Sequence, residues 1–352
     1  MRAQSSSDSA FEEVRKSAPV PKFLIALFWY ALAWSVVFMA ALKLPSLEDI
    51  SCFTVLGDKH RILDSAPSPK IIVTGGSNLL FGLDGELLEQ AFKRKVVDMG
   101  LCIMFPMPYL LDEIKDSIKP GDIVVLSAEY STYSREYERP LVMADILDAY
   151  PPAILWILRS NSCSLEDKGK ILFHLRTLGL QKLEYAFKHM RQIATHRCKW
   201  SYGRPNPGLA ILNSSNLNSC GDLVWHLDKK VSPNAMESKI LIQVAKHVDE
   251  HITAEINTFS DYCRSKGAQV VLIPPPIPTV MYLKSKPGID SLIGEARQKL
   301  RVPVLADASR YTFPESQIYG GHYHLDKVGR HIRTERMIED LQNVVNPPEA
   351  RQ

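Results

Sequence analysis

Residues 70–100 read KIIVTGGSNLLFGLDGELLEQAFKRKVVDMG, and the change of period inside this stretch decides the fold. The run KIIV has the unbroken, β-branched character of a strand covered on both faces. Two glycines then turn the chain, NLLFGLDGELLEQAF returns apolar residues at helical spacing, and KVVDMG restores strand character. Outward along the chain, PYLLDEIKDSI and DIVVLSAEY continue the alternation. After a break, QVVLIPPP, a helix near 288–300, the strand VPVLAD and a closing helix of about 325–343 resume it. Strands that alternate with helices predict an α/β fold whose parallel sheet is flanked by helices. Three strands before the break and two after it predict five strands in all.

The break falls at residues 136–230, where YPPAILWILR, a basic helical stretch and the loop-like NSSNLNSCGD interrupt the rhythm. It reads as a mainly helical insertion. A long helix pattern at about 235–266 follows and ends in Lys-Gly, as a helix C-cap does. The expected organisation is therefore a tail over 1–22, a transmembrane helix over 23–44, a connector over 45–69 carrying Pro45, Pro67 and Pro69, half-domains at 70–135 and 231–345 around the insertion, and a short tail at 346–352.

The run from Phe23 to Leu42, FLIALFWYALAWSVVFMAAL, is twenty residues without a charge, the length an α-helix needs to cross the hydrocarbon core. A secretory signal has a shorter apolar region, and Met39-Ala40-Ala41 makes a poor small-x-small cleavage site, so an uncleaved single-pass anchor is preferred. Arg15, Lys16 and Lys22 precede the run, against Lys43 just beyond it, which predicts a cytoplasmic N-terminus. The expected location is the cytoplasmic (inner) membrane, with residues 45–352 on the periplasmic, extracytoplasmic side. Six cysteines would then lie where pairing is permitted, with fifteen possible connectivities. Their spacing fits no metal site, and Cys102 and Cys263 sit in apolar patterns that suit core filling.

A formal charge of +3 over 352 residues gives no argument for nucleic acid, and no zinc or RNA-binding signature supplies one. The glycines near Ser77 do not fit G-x-G-x-x-G, and the lysine of a phosphate loop is missing, so no cofactor is expected there. Residues 165–204 carry nine Lys or Arg against three Asp or Glu. That stretch is either a solvated helix face or a surface for acidic polysaccharide or anionic lipid.

Ligands of an open parallel sheet bind beyond the carboxyl ends of its strands, where Ser77 follows KIIV. GGSN alone is equally a tight turn with Ser77 or Asn78 capping a helix. A serine nucleophile needs a base, and YGGHYHLDKVGRHIRTERMIEDL places His324 just before the last helix, with His322 as a rival two residues away. The strand-GGSN-helix start, the V-x-x-x-G turn at Gly100 and the late Y-H-L-D-x-x-G together resemble the SGNH, or GDSL-like, hydrolase superfamily. The closest likeness is to membrane-anchored members associated with bacterial exopolysaccharide and cell-wall O-acylation. It covers roughly residues 70–133 and 235–343.

The resemblance implies a flavodoxin-like sheet, Ser77 as nucleophile, His324 as base, and Ser77 N–H and Gly100 N–H as oxyanion donors. It also implies an acyl-serine intermediate that passes its group to water or to a sugar hydroxyl. The chain departs from the family in two places. An asparagine usual after the third strand is replaced by Glu129 and Tyr130; a glutamate donates only when protonated, so Tyr130 substitutes or the hole is weaker, and Asn78, Glu129 and Tyr130 are the residues expected to line the oxyanion and substrate site. The aspartate usual just before the histidine is replaced by Gly320 and Gly321, leaving Asp307, at the end of VPVLAD, as the candidate to orient His324. The expected activity is O-acetyl transfer to, or acetyl-ester hydrolysis of, a secreted polysaccharide, beside a membrane-bound acyltransferase or a polysaccharide secretion complex. A catalytically degenerate scaffold or glycan-binding subunit is the alternative.

Overall fold

Every residue of the first strand, β1 (Lys70–Gly75), is buried, as its unbroken apolar run requires of a central parallel strand. The computed structural model describes residues 20–42, 44, 53, 55–101, 105–137, 141–160, 163–195, 214–229 and 242–346. The chain divides into two units, residues 1–47 with 176–200 and residues 48–175 with 201–352.

In the larger unit β1 pairs in parallel with β2 (Lys95–Asp98) on one side and with β3 (Ile123–Ser127) on the other, and β3 pairs with β4 (Gln269–Leu272). The order is β2-β1-β3-β4. The connections out of β1 and β3 run to opposite sides, so the gap between these two strands is the switch point at which open α/β sheets bind ligands. A second small parallel sheet joins β5 (Ile277–Pro278) to β6 (Thr312–Phe313).

Eleven α-helices are present among the described residues: α1 (Val20–Leu42), α2 (Leu56–Ser65), α3 (Ser77–Leu80), α4 (Gly85–Phe92), α5 (Met107–Lys115), α6 (Val142–Ala149), α7 (Ile154–Arg159), α8 (Leu165–Ala194), α9 (Glu250–Ser265), α10 (Thr279–Lys299) and α11 (Lys327–Val345). The period-2 alternation of the strands sends Ile72, Val124, Leu126 and Val270 to one face, where α5 and α9 supply Leu111, Ile114, Ile252 and Ile256. Ile71, Val73, Val125 and Val271 face the other way, toward Leu88 and Phe92 of α4 and Met337 and Leu341 of α11.

Several expectations need correction. The sheet has four strands, not five: VPVLAD contributes a single bridge, Val304 to Leu272, because Pro303 removes a backbone donor from so short a segment. The helix read over NLLFGLDGELLEQAF is two pieces. α3 ends after one turn, and Asp84 then starts α4 by accepting the Leu87 N–H at 3.3 Å. The pattern at 235–266 forms α9 only from Glu250, capped by Asp249, and residues 230–241 lie outside the described residues. The connector over 45–69 contains α2, whose Leu56 and Leu63 are buried. Part of the insertion also belongs with the sheet, since Cys220 O accepts the Asp98 N–H at 2.8 Å and Leu80 O accepts the Leu223 N–H at 3.3 Å.

Cys163, Cys220 and Cys263 are free, buried thiols, and Cys263 fills the core as its apolar pattern predicts. Cys52, Cys102 and Cys198 lie outside the described residues. In the smaller unit α1 is long and apolar enough to cross a membrane, and none of its apolar window is buried inside the structure.

Candidate active site

The end of β1 meets the end of β3 at a separation only glycine permits. A Cβ on Gly75 would lie 2.0 Å from Ser127 O, and one on Gly76 would lie 1.7 Å from Glu129 Oε2. The GG pair is therefore a close-approach device that seats the Glu129 carboxyl against the turn. Ser77 follows at the first position of α3, half-exposed at the switch point.

His324 reaches the same point from the loop before α11. Its Nε2 lies 2.9 Å from Ser77 Oγ, a hydrogen-bond contact across 247 residues of sequence. Burial, with the neighbouring His226 and His322, pushes the His324 imidazole down to about 3, so the ring is neutral at pH 7 and its Nε2 can accept the serine proton. His322 is not the imidazole in hydrogen-bond contact with Ser77 Oγ.

No carboxylate stands behind the ring among the described residues. Asp307 instead pairs with Arg297 at 2.7 Å, is 71% exposed, and lines an open surface cleft of about 410 Å³ with Ser309, Arg310 and Arg336. Its expected role as orienter of His324 is corrected accordingly. Phe81 takes over the steric part of that role: its ring stacks on the imidazole with centroids 4.2 Å apart and planes at 17°. Phe81 is held in turn by Tyr319 and by His226, whose Nε2 lies 3.1 Å from Phe81 O and 3.2 Å from Leu325 O.

Glu129 is the third group at Ser77. Fully buried, it places Oε1 3.4 Å from Ser77 Oγ and accepts the Asn78 N–H at 3.2 Å, while Oε2 has no hydrogen-bond partner. Burial raises its carboxyl from the ordinary glutamate value, against the lowering effect of these hydrogen bonds.

None of the other expected oxyanion side chains contacts Ser77 among the described residues. Asn78 is fully buried; its amide donates to Ser127 O at 2.9 Å, and its Oδ1 accepts from Arg333 at 2.8 Å. It ties the turn to β3 and to α11 and offers no side-chain donor to a substrate. Gly100 N–H donates to Asp98 Oδ1 at 2.6 Å, and a Cβ at Gly100 would lie 2.4 Å from Leu79 Cβ, so this glycine packs the second-strand turn against α3. Tyr130 is buried beside Tyr323, and its hydroxyl finds no hydrogen-bond partner among the described residues, Ser77 included.

Two buried charges brace this arrangement from below. Arg333 of α11 donates to Asn78 O at 2.5 Å and to Ser127 Oγ at 3.0 Å. Lys59 of α2 donates to Asp98 O at 2.7 Å and to Gly221 O at 3.0 Å, and lies 3.3 Å from Asp98 Oδ2. Neither residue is visible as part of a site in the sequence, where Lys59 falls in the connector and Arg333 in the closing helix. Phe81 and His226 escape sequence reading for a similar reason: one sits in an apolar run and the other in the insertion.

Among the described residues no group of three His, Cys, Asp or Glu side chains is placed to hold a metal ion. A nucleophilic hydroxyl, a neutral imidazole in contact with it and a buried carboxyl beside it can together carry acyl transfer. No protein-family model matches the chain, and no curated protein matches it.

Proposed function

We propose that this chain is a membrane-anchored, serine-dependent O-acyltransferase or esterase of SGNH type, acting on acetyl or other acyl esters of a secreted polysaccharide. The observation that carries the reading is the 2.9 Å contact between Ser77 Oγ and His324 Nε2 at the sheet's switch point. The motif resemblance supports the same pair of residues, and it alone supplies the polysaccharide and the membrane-bound acyl donor as expectations. In this reading α1 is the single-pass anchor, with the N-terminus cytoplasmic and the catalytic unit on the extracytoplasmic side.

Ser77 Oγ attacks the ester carbonyl as His324 Nε2 takes its proton. A tetrahedral intermediate forms, His324 returns the proton to the departing alcohol, and the acyl group stays on Ser77. Water or a sugar hydroxyl then attacks the acyl-serine by the same steps in reverse. Glu129 acts as the neutral acid, donating its O–H toward the developing oxyanion from the position where the resembled family carries asparagine. An ionised carboxylate at 3.4 Å from Ser77 would instead oppose the negative charge that develops there.

The test is turnover of an aryl acetate by wild type and three variants. Ser77→Ala and Glu129→Ala are expected to lose activity, the latter by about a hundredfold to a thousandfold in kcat. Glu129→Gln, whose amide still donates, is expected to retain most of it. Wild-type turnover by Ser77→Ala overturns the enzyme reading. The second reading, a scaffold or glycan-binding subunit with an SGNH-like frame, is favoured by one observation: no carboxylate accepts from the His324 ring among the described residues. Polysaccharide acetylation lost in Ser77→Ala while the secretion complex still assembles would exclude that second reading.

A further inference from the structure

The helix α8 presents an apolar stripe that the catalytic reading does not use. In its second half Leu180, Phe187 and Met190 are 39%, 74% and 62% exposed, and the half-buried Leu183 lies between them. At 3.6 residues per turn these four side chains fall within about 80° of one another, over about 15 Å of helix. Arg191 borders the stripe on its exposed side, and Lys188, further round the helix, pairs with the exposed Glu184 at 2.6 Å.

What adjoins the stripe is the end of α1. Gly179 approaches so closely that a Cβ there would lie 3.2 Å from the Phe38 ring and 3.7 Å from Ala41 Cβ. Lys182, one turn on, donates to Leu44 O at 2.8 Å, a cation placed on a carbonyl just past the C-terminus of α1. Ala41 is buried at this crossing, whereas Trp29, Tyr30, Val36 and Val37 of the same helix are exposed. The stripe therefore begins beside the point where the apolar span ends, and its aromatic, aliphatic and basic composition matches a helix lying at a lipid surface.

We infer that residues 176–194 of α8 lie in the membrane interface, with Leu180, Leu183, Phe187 and Met190 turned into the acyl boundary and Lys188 and Arg191 at anionic headgroups. The inference rests on reading α1 as a membrane span. The helix gives the protein a second, lateral hold on the bilayer, and residues 176–194 then run along the membrane surface instead of projecting from it. A lipid surface accounts for both the apolar stripe and its basic flank; a second copy of the chain would be drawn by the stripe alone.

The full chain, carrying p-benzoylphenylalanine at position 187, at position 180 or at position 36 within α1, is reconstituted in nanodiscs of phosphatidylethanolamine and phosphatidylglycerol and irradiated. Intact-mass analysis is expected to show lipid adducts at all three positions. Lipid adducts at 36 with none at either 180 or 187, or crosslinks from those two positions to protein only, overturn the interfacial helix and leave the anchor standing. Absence of lipid adducts at 36 overturns the anchor and, with it, the inference.

Discussion

At the scale of single residues, the site departs from a carboxylate-oriented triad in a way that makes predictions. His324 is fixed by stacking on Phe81, not by an acid, so its ring is oriented without being made more basic. Phe81→Leu removes the parallel plane while keeping the apolar volume, and is expected to lower kcat by about tenfold to a hundredfold through misplacement of the base, with KM little changed. Steady-state kinetics on an aryl acetate check it. The pH profile follows from two groups that must both be neutral. His324 accepts a proton only when unprotonated, and burial holds its ring at about 3, so the acid limb falls well below the usual imidazole range. In the proposed mechanism Glu129 donates only when protonated, and burial raises its carboxyl, so activity is expected below its pKa and is expected to be lost as pH rises through it. Glu129→Gln is expected to abolish that alkaline limb and leave the acid limb in place. The contact between Ser77 and His324 was legible in the sequence because each sits in a short motif. Phe81 and the seating of Glu129 against Gly76 were not, because they depend on how the ends of two non-consecutive strands meet.

At the scale of elements, the site stands on buried charges that pin helices to strand ends. Lys59 and Asp98 are both fully buried, and this contact holds α2 against the end of β2 beside Gly100. Lys59→Met leaves the Asp98 carboxylate uncompensated and is expected to cost about 3–5 kcal/mol in urea denaturation. Adding Asp98→Asn to that variant removes the orphaned charge and should recover part of the loss. The strands and the last helix were legible from hydrophobic period and from the Asp326 cap, which accepts the Gly329 N–H at 2.8 Å. The fifth strand failed as an expectation because apolar period reports burial, and VPVLAD is a partly buried, proline-interrupted edge segment with one bridge. The break between α3 and α4 was written in Gly82 and Asp84, but a helical spacing that ran through both obscured it.

At the scale of the whole molecule, the order β2-β1-β3-β4 brings Ser77 and Glu129, 52 residues apart, to one switch point, and α11 returns His324 to it. The α/β class and the parallel sheet were readable from alternation alone, whereas strand order was not, since apolar runs carry no record of their neighbours. The apolar helix α1 adds a topological prediction. A reporter active only outside the cytoplasm, fused after Gln352, is expected to be active, and a signal from a cytoplasm-only reporter at the same place would reverse the assignment of side.

In the proposed reaction Ser77 carries the acyl group. Full-length protein quenched in acid moments after mixing with an activated acetyl ester, then digested and weighed, is expected to show one acetyl group on the peptide containing Ser77. The adduct should be missing in Ser77→Ala and strongly reduced in His324→Ala. An unmodified Ser77 peptide, or equal acetylation in wild type and Ser77→Ala, would exclude Ser77 as the acyl carrier.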